Sequence, residues 1–124
     1  MARIETVEGG NWDCPGTWKG GVPPGENDLA VIHHTVELSE NKAVGAFILD
    51  SSGRLLNETD RFVELGVMHE GDYDGDGAIE DTSLFMGEIM VMGTGSFTLN
   101  IQAGRIIFRR KALHSRILEV DIED

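Results

Sequence analysis

Gly10-Asn11-Trp12-Asp13-Cys14-Pro15-Gly16-Thr17-Trp18-Lys19-Gly20-Gly21-Val22-Pro23-Pro24-Gly25-Glu26-Asn27-Asp28, leading straight into the apolar run Leu29-Ala30-Val31-Ile32, decides how the rest of the chain is read. It holds both tryptophans and all three prolines of the protein. Proline lacks a backbone donor and glycine resists ordering, so this density of the two forbids a regular helix or a central strand. Two tryptophans six positions apart can still bury a large apolar area. The stretch is therefore an ordered loop packed over the first layer of a β-fold, a cap in which Trp12, Trp18, Pro23 and Pro24 do the covering.

Outward from this loop the chain reads as strand after strand. Before it, Ala2 to Glu8 alternates apolar and polar residues. After it come Ala30 to Leu38, Lys42 to Asp50, Arg54 to Asn57, Arg61 to Met68, Ser83 to Met92, Ser96 to Gln102, Arg105 to Arg109 and Arg116 to Ile122, with Asp50-Ser51-Ser52-Gly53 a turn by composition. Short strands, glycine punctuation and no helical period predict an all-β fold. Local pattern leaves a sandwich and a solenoid both open.

The spacing Asn-Trp-x-x-x-x-Thr-Trp-x-Gly-Gly-x-Pro-Pro-x-x-x-Asp before an apolar strand resembles the start of the eight-glycine β-helix domain and related modules of secreted, cell-surface and phage proteins. The likeness is close over residues 10 to 38 and continues to about residue 108 only as short strands with glycine turns. Cys14 and Lys19 depart from the small or polar residues usual there, and the family pattern does not require the acidic stretch in the middle of the chain. The resemblance implies a short right-handed β-helix, or β-solenoid, in which each turn stacks on the last and both ends need covering. A β-sandwich is the alternative. Residues 1–28 would be strand and cap, 29–109 the solenoid body and 110–124 a tail or partner-pairing strand, all one domain.

With 22 acids against 10 bases, the net charge of −12 argues against nucleic acid and anionic membranes as partners, since both need a positive footprint. A single cysteine cannot form an internal disulfide. No apolar leader follows Met1 and no window approaches the roughly 18 apolar residues of a membrane span, so folding in the cytoplasm is expected.

The acidic stretch Asp72-Tyr73-Asp74-Gly75-Asp76-Gly77-Ala78-Ile79-Glu80-Asp81-Thr82-Ser83 matches a calcium loop at positions one, three, five and six, with an apolar residue at eight. Asp72, Asp74 and Asp76 would offer carboxylates and Ala78 its carbonyl. Ser83 stands where a bidentate glutamate would close the shell, so Glu80 or Asp81 would have to close it. Such hard oxygen ligands suit structural Ca²⁺. A solvated acidic hairpin tip has the same composition.

The remaining candidates are weaker in chemistry. In an alternating strand His33 and His34 face opposite ways and cannot chelate one ion together. Cys14 has no activating neighbour, no second cysteine supports zinc, and no phosphate-binding glycine loop is present. No enzyme is expected. Residues 1 to 104 carry 18 acids and 5 bases, whereas Arg105, Arg109, Arg110, Lys111 and Arg116 make the end of the chain locally basic. That patch is either a docking surface for an acidic neighbour, including another copy of this chain, or an edge strand guarded by charge. In Met86 to Met92, Met90 and Met92 share one face and Ile89 and Val91 the other, so the strand is covered on both sides, by core and by a subunit, or is simply buried.

These features predict a non-enzymatic structural protein: a phage virion subunit, decorating or cementing a capsid or associated with a tail, made in the host cytoplasm. It would bind itself and other virion proteins as a homo-oligomer. The alternative is a calcium-dependent extracellular module binding carbohydrate or protein, with Trp12 or Trp18 stacked on a sugar. Exposed tryptophans would favour the alternative; buried ones are expected.

Overall fold

A computed structural model describes residues 3–72, 75–79, 82–91, 94–102, 104–108 and 118–122, with residue 108 and the last segment described by their backbone. The strands are β1 (Arg3–Glu5), β2 (Gly10–Asn11), β3 (Leu29–Ile32), β4 (Thr35–Leu38), β5 (Lys42–Val44), β6 (Ala46–Leu49), β7 (Arg54–Asn57), β8 (Phe62–Val67), β9 (Thr82–Phe85), β10 (Glu88–Val91), β11 (Ser96–Ile101), β12 (Arg105–Phe108) and β13 (Leu118–Ile122), with a 3₁₀ turn at Pro15–Thr17. The protein is all-β. Its strands form three sheets, in the orders β1-β3-β6-β9-β12, β2-β4-β7-β10 and β5-β8-β11-β13. Every strand pair in them is parallel.

The order of visits explains the parallel pairing. From β3 to β11 the chain lays one strand on each sheet in turn and then returns to the first, so each strand pairs with its counterpart from another circuit. Parallel strands cannot be joined by a two-residue hairpin, and the two intervening strands serve as the crossover.

Alternate residues of each strand enter the core, and register sets like side chains above one another. Val44, Val67 and Ile101 are opposite across β5, β8 and β11, and Val36, Leu55 and Ile89 across β4, β7 and β10. All six are buried. Phe47 and Phe85 stack with ring centroids 5.0 Å apart. Burying each such side chain contributes about 1.5–3 kcal/mol, so the stacked core holds the circuits together.

Polar side chains also join the core layers, among them Asn57. Asn57 is buried at the end of β7, donates from Nδ2 to the carbonyls of Arg61 and Ser96, and accepts at Oδ1 from the Thr59 amide and hydroxyl. Because these partners use its donors and acceptor together, Asn57 ties its own turn to the next circuit without leaving a polar atom unpaired.

Three stretches that read as single strands are each two strands meeting at a corner. Ala30 to Leu38 breaks at His33-His34, Lys42 to Asp50 breaks at Gly45, and Ser83 to Met92 breaks at Met86-Gly87. At Met86-Gly87, and at the Asp50 to Gly53 turn against which it stacks, successive circuits lie backbone on backbone. A Cβ on Gly53 would fall inside contact distance of the Ile32 carbonyl, and one on Gly87 would overlap the Gly53 carbonyl and lie 2.5 Å from that of Asp50. These glycines are required by packing.

The end of the chain also joins a sheet. The backbone of β13 pairs in parallel with β11, Phe97 opposite Leu118 through Ile101 opposite Ile122, as the last strand of the third sheet.

Gly87→Ala is expected to lower stability by about 2–4 kcal/mol. Gly25→Ala, whose new Cβ would meet Asp28 Oδ2 at an ordinary 3.7 Å, should change it by less than about 1 kcal/mol. Denaturant midpoints of the two variants beside the parent check the contrast.

Candidate functional site

The tryptophan loop closes one end of the core. Trp12 continues the register of β2 opposite Leu38, its amide donating to the Glu37 carbonyl, and so it faces inward. Trp18 meets it edge to face with centroids 5.0 Å apart and donates from Nε1 to the Trp12 carbonyl at 2.7 Å. Only 1% of Trp12 and 2% of Trp18 is exposed. At roughly 25 cal/mol per Å², burying such rings contributes on the order of 4–6 kcal/mol each. Pro24 is buried and Pro23 half-buried, whereas Cys14 is exposed. Gly20 and Gly21, with φ of 88° and 76°, turn the loop away after Trp18 in a conformation that glycine adopts at no steric cost.

The same loop covers a sheet edge. Trp18 forms an antiparallel bridge with Thr6, the Val7 amide donates to the Thr17 carbonyl, and the Lys19 amide donates to the Glu5 carbonyl. An unpaired edge is a template for another chain, and these bonds occupy the outer side of β1. Lys42, at the start of β5, reaches from the body to Asp13 of the loop at 2.5 Å and to Glu40 at 3.0 Å. Burial opposes its charge, but the two carboxylates outweigh that and raise its pKa above 10.5.

Of the calcium-loop residues, Asp72, Asp76 and Ala78 are described, and Asp74, Glu80 and Asp81 lie outside the described residues. The Asp72 carboxylate accepts the amides of Gly75 and Gly77 at 2.9 Å, and Asp76 Oδ1 accepts the Ala78 amide at 2.8 Å. Gly75 and Gly77 are both left-handed, as a tight turn through an Asp-Gly repeat requires. Among the described residues no three His, Cys, Asp or Glu side chains are grouped to hold a metal ion.

Of the residues assigned to a partner interface, Arg105 is exposed on β12, with its guanidinium 3.4 Å from the Thr82 hydroxyl, and Met90 is half-buried on the outer face of the second sheet, opposite Leu56. Arg109, Arg110, Lys111, Arg116 and Met92 lie outside the described residues.

A polar cluster sits at the corner between the first and second sheets, and reading the residues in order along the chain does not reveal it. His33 and His34 occupy the corner itself, with ring centroids 6.4 Å apart and planes nearly perpendicular. They belong to no common strand, so the opposite-facing arrangement expected of them does not occur. His33 Nε2 lies 3.1 Å from Glu5 Oε1, on β1, and its Nδ1 meets Asp50 Oδ2, at the end of β6. Thr6 Oγ1 accepts the His33 amide at 3.0 Å and hydrogen-bonds His34 Nδ1 at 2.8 Å. Ser52 donates to Asp50 Oδ1 from both its amide and its hydroxyl. The two carboxylates approach opposite edges of one imidazole, one at each ring nitrogen, and do not converge on a shared ion.

The cluster shifts all three groups. The hydrogen bond to Asp50, then that to Glu5, raises the His33 pKa above 6.5 against an opposing effect of burial. The His33 hydrogen bond holds Glu5 below 4.5. Burial pushes Asp50 up, but the bonds from His33 and Ser52 outweigh it and hold it below 3.8.

Comparison with known proteins finds no matching family model, no matching curated protein and no matching solved structure.

A raised histidine contributes stability that is fully present below 6.5 and lost as pH climbs through its folded value. Lowered carboxylates contribute stability present above 4.5 and 3.8 and lost as pH falls through theirs. The urea midpoint is therefore expected to decline as pH rises above 6.5, and His33→Gln should flatten that decline. Unfolding curves across this range for both proteins are the check.

Proposed function

We propose that the three parallel sheets are the faces of a short, right-handed β-solenoid capped by the tryptophan loop, and that this unit is a structural assembly protein. The all-parallel pairing and the circuit of one strand per sheet support the solenoid over a sandwich built from antiparallel hairpins. Right-handedness follows the near-universal hand of parallel crossovers. The proposed setting is a phage virion, where the subunit decorates a capsid or sits on a tail, binding copies of itself and other virion proteins.

The observation that carries this reading is on the outer face of the first sheet. Val31, Ile48, Leu84 and Ile107 stand opposite one another across β3, β6, β9 and β12, an apolar row on the face opposite the main core, where Leu29, Val31 and Ala46 form a second buried cluster with Ile48 against it. The row passes from buried Val31 through half-buried Ile48 and Leu84 to Ile107, which is 44% exposed. Leu56 and Met90 form a shorter outward pair on the second sheet, and Phe62 is exposed on the third. Lateral apolar strips suit packing against neighbours, and many modest contacts on a lattice combine into tight binding. The extracellular sugar-binding alternative loses its platform, because both tryptophans are buried.

The purified protein is expected to run as a discrete oligomer in light scattering after size exclusion, with the same mass in calcium and in chelator. Ile107→Lys should shift it toward monomer while leaving its unfolding midpoint within about 0.5 kcal/mol of the parent. A protein that is monomeric at all concentrations would overturn self-assembly through this face, and an assembly that Ile107→Lys leaves intact would move the interface elsewhere.

A further inference from the structure

From the corner cluster and the cap together, we infer that His33 is a proton-operated latch, fastening the N-terminal strand and the cap edge resting on it when charged and releasing them when neutral. The chemistry is in the count of donors. An imidazolium offers two N–H donors, one to each carboxylate, whereas a neutral ring has one donor and one lone pair. Between Glu5 and Asp50, loss of the proton leaves one carboxylate facing a lone pair.

The asymmetry of the two carboxylates decides what is released. Asp50 is held additionally by the Ser52 amide and hydroxyl, and its own amide donates to the Ile32 carbonyl in the body of the fold. Glu5 has Arg3 of its own strand as its other charged partner, and β1 is a three-residue edge strand. The weaker anchorage is that of β1, so β1 moves. Thr6 follows Glu5 directly, its amide bonded to Val31 and its hydroxyl to the two histidines. The loop hangs on the same strand through Thr17, Trp18 and Lys19.

Charged and titratable groups that the described residues bring to the latch are Glu5 and Arg3 from β1, Asp50 from the turn after β6, His34 beside it on the corner, Lys19 of the cap, whose amide donates to the Glu5 carbonyl, and Arg54 of β7, whose amide donates to the His34 carbonyl. Met86 follows in register on the next circuit and adds no charge. At the far side of the cap Lys42 keeps its proton throughout, since its pKa is raised above 10.5. Above the His33 transition the cap therefore stays moored at Lys42 and Asp13 and opens at β1. Opening uncovers the edge of β3, whose four residues Leu29, Ala30, Val31 and Ile32 are buried in the closed form, an edge able to pair with another strand.

Native-state amide exchange of the full chain tests this residue by residue. Protection factors, corrected for the intrinsic pH dependence of exchange, are expected to fall as pH rises above 6.5 at Thr6, Val7 and Lys19, by no more than about tenfold per pH unit, the limit for one proton. They should hold steady at Met68 and Gln102, which bond Val44 and Val67 in the third sheet. His33→Gln and, separately, Asp50→Asn should each abolish the fall, and His34→Gln should keep it. A flat profile in the parent, a fall that survives His33→Gln and Asp50→Asn, or an equal fall at Met68 and Gln102 would overturn the latch.

Discussion

Parallel pairing between circuits is the constraint on which everything else here depends. A chain that lays one strand on each of three sheets before returning leaves every strand waiting for a partner that arrives many residues later, as Ile48 waits for Leu84. Each interior circuit is satisfied on both sides, whereas among the described residues β1 has a sheet partner on one side only. The cap answers that deficit twice. Trp12 and Trp18 cover the apolar end of the core, and the backbone from Thr17 to Lys19 bonds the outer side of β1. A loop rich in glycine and proline can do this because it needs no regular partner of its own.

The identity of the elements was legible from composition, and the joints between them were not. Arg54 to Asn57 reads correctly because a turn of aspartate, serine and glycine precedes it. Ala30 to Leu38 and Ser83 to Met92 read as continuous strands because their corners, His33-His34 and Met86-Gly87, contain neither proline nor a turn dipeptide. A parallel corner redirects the chain within a residue or two, and the strands on either side keep the same alternation. Nor does a sequence repeat mark the circuits, since Leu29 pairs with Ala46 while Ile48 pairs with Leu84, the acidic loop being inserted between β8 and β9.

The same limit governs the site. The tryptophan loop stands out in the sequence because its residues are contiguous. Glu5, Thr6, His33, His34, Asp50 and Ser52 come from three separate segments, and only the register that sets Ile32 opposite Leu49 brings His33 beside Asp50. The histidine pair and the Asp50-Ser51-Ser52 turn each attract notice alone, yet nothing local says they meet. Acidic loop composition, by contrast, is easy to see and poor at specifying chemistry: Asp72 and Asp76 bond the amides of their own turn, which a solvated loop would do equally well.

Charge explains why the N-terminal layer is held as it is. In a chain with a net charge of −12, acids of the first layer would be repelled by a body that is itself acidic. At two places the body instead presents a cation, Lys42 to Asp13 and His33 to Glu5. The difference between those cations is physical. An ammonium beside two carboxylates keeps its charge across the biological pH range, whereas an imidazole has its ordinary value of 6.5 inside that range and is raised from there by its two carboxylate partners. One mooring is therefore permanent and the other conditional, and they sit on different parts of the same covering layer. Had both been lysines the layer would be fixed; had both been histidines it would leave as a unit. With one of each, loss of a single proton loosens β1 while Lys42 still holds Asp13 of the loop.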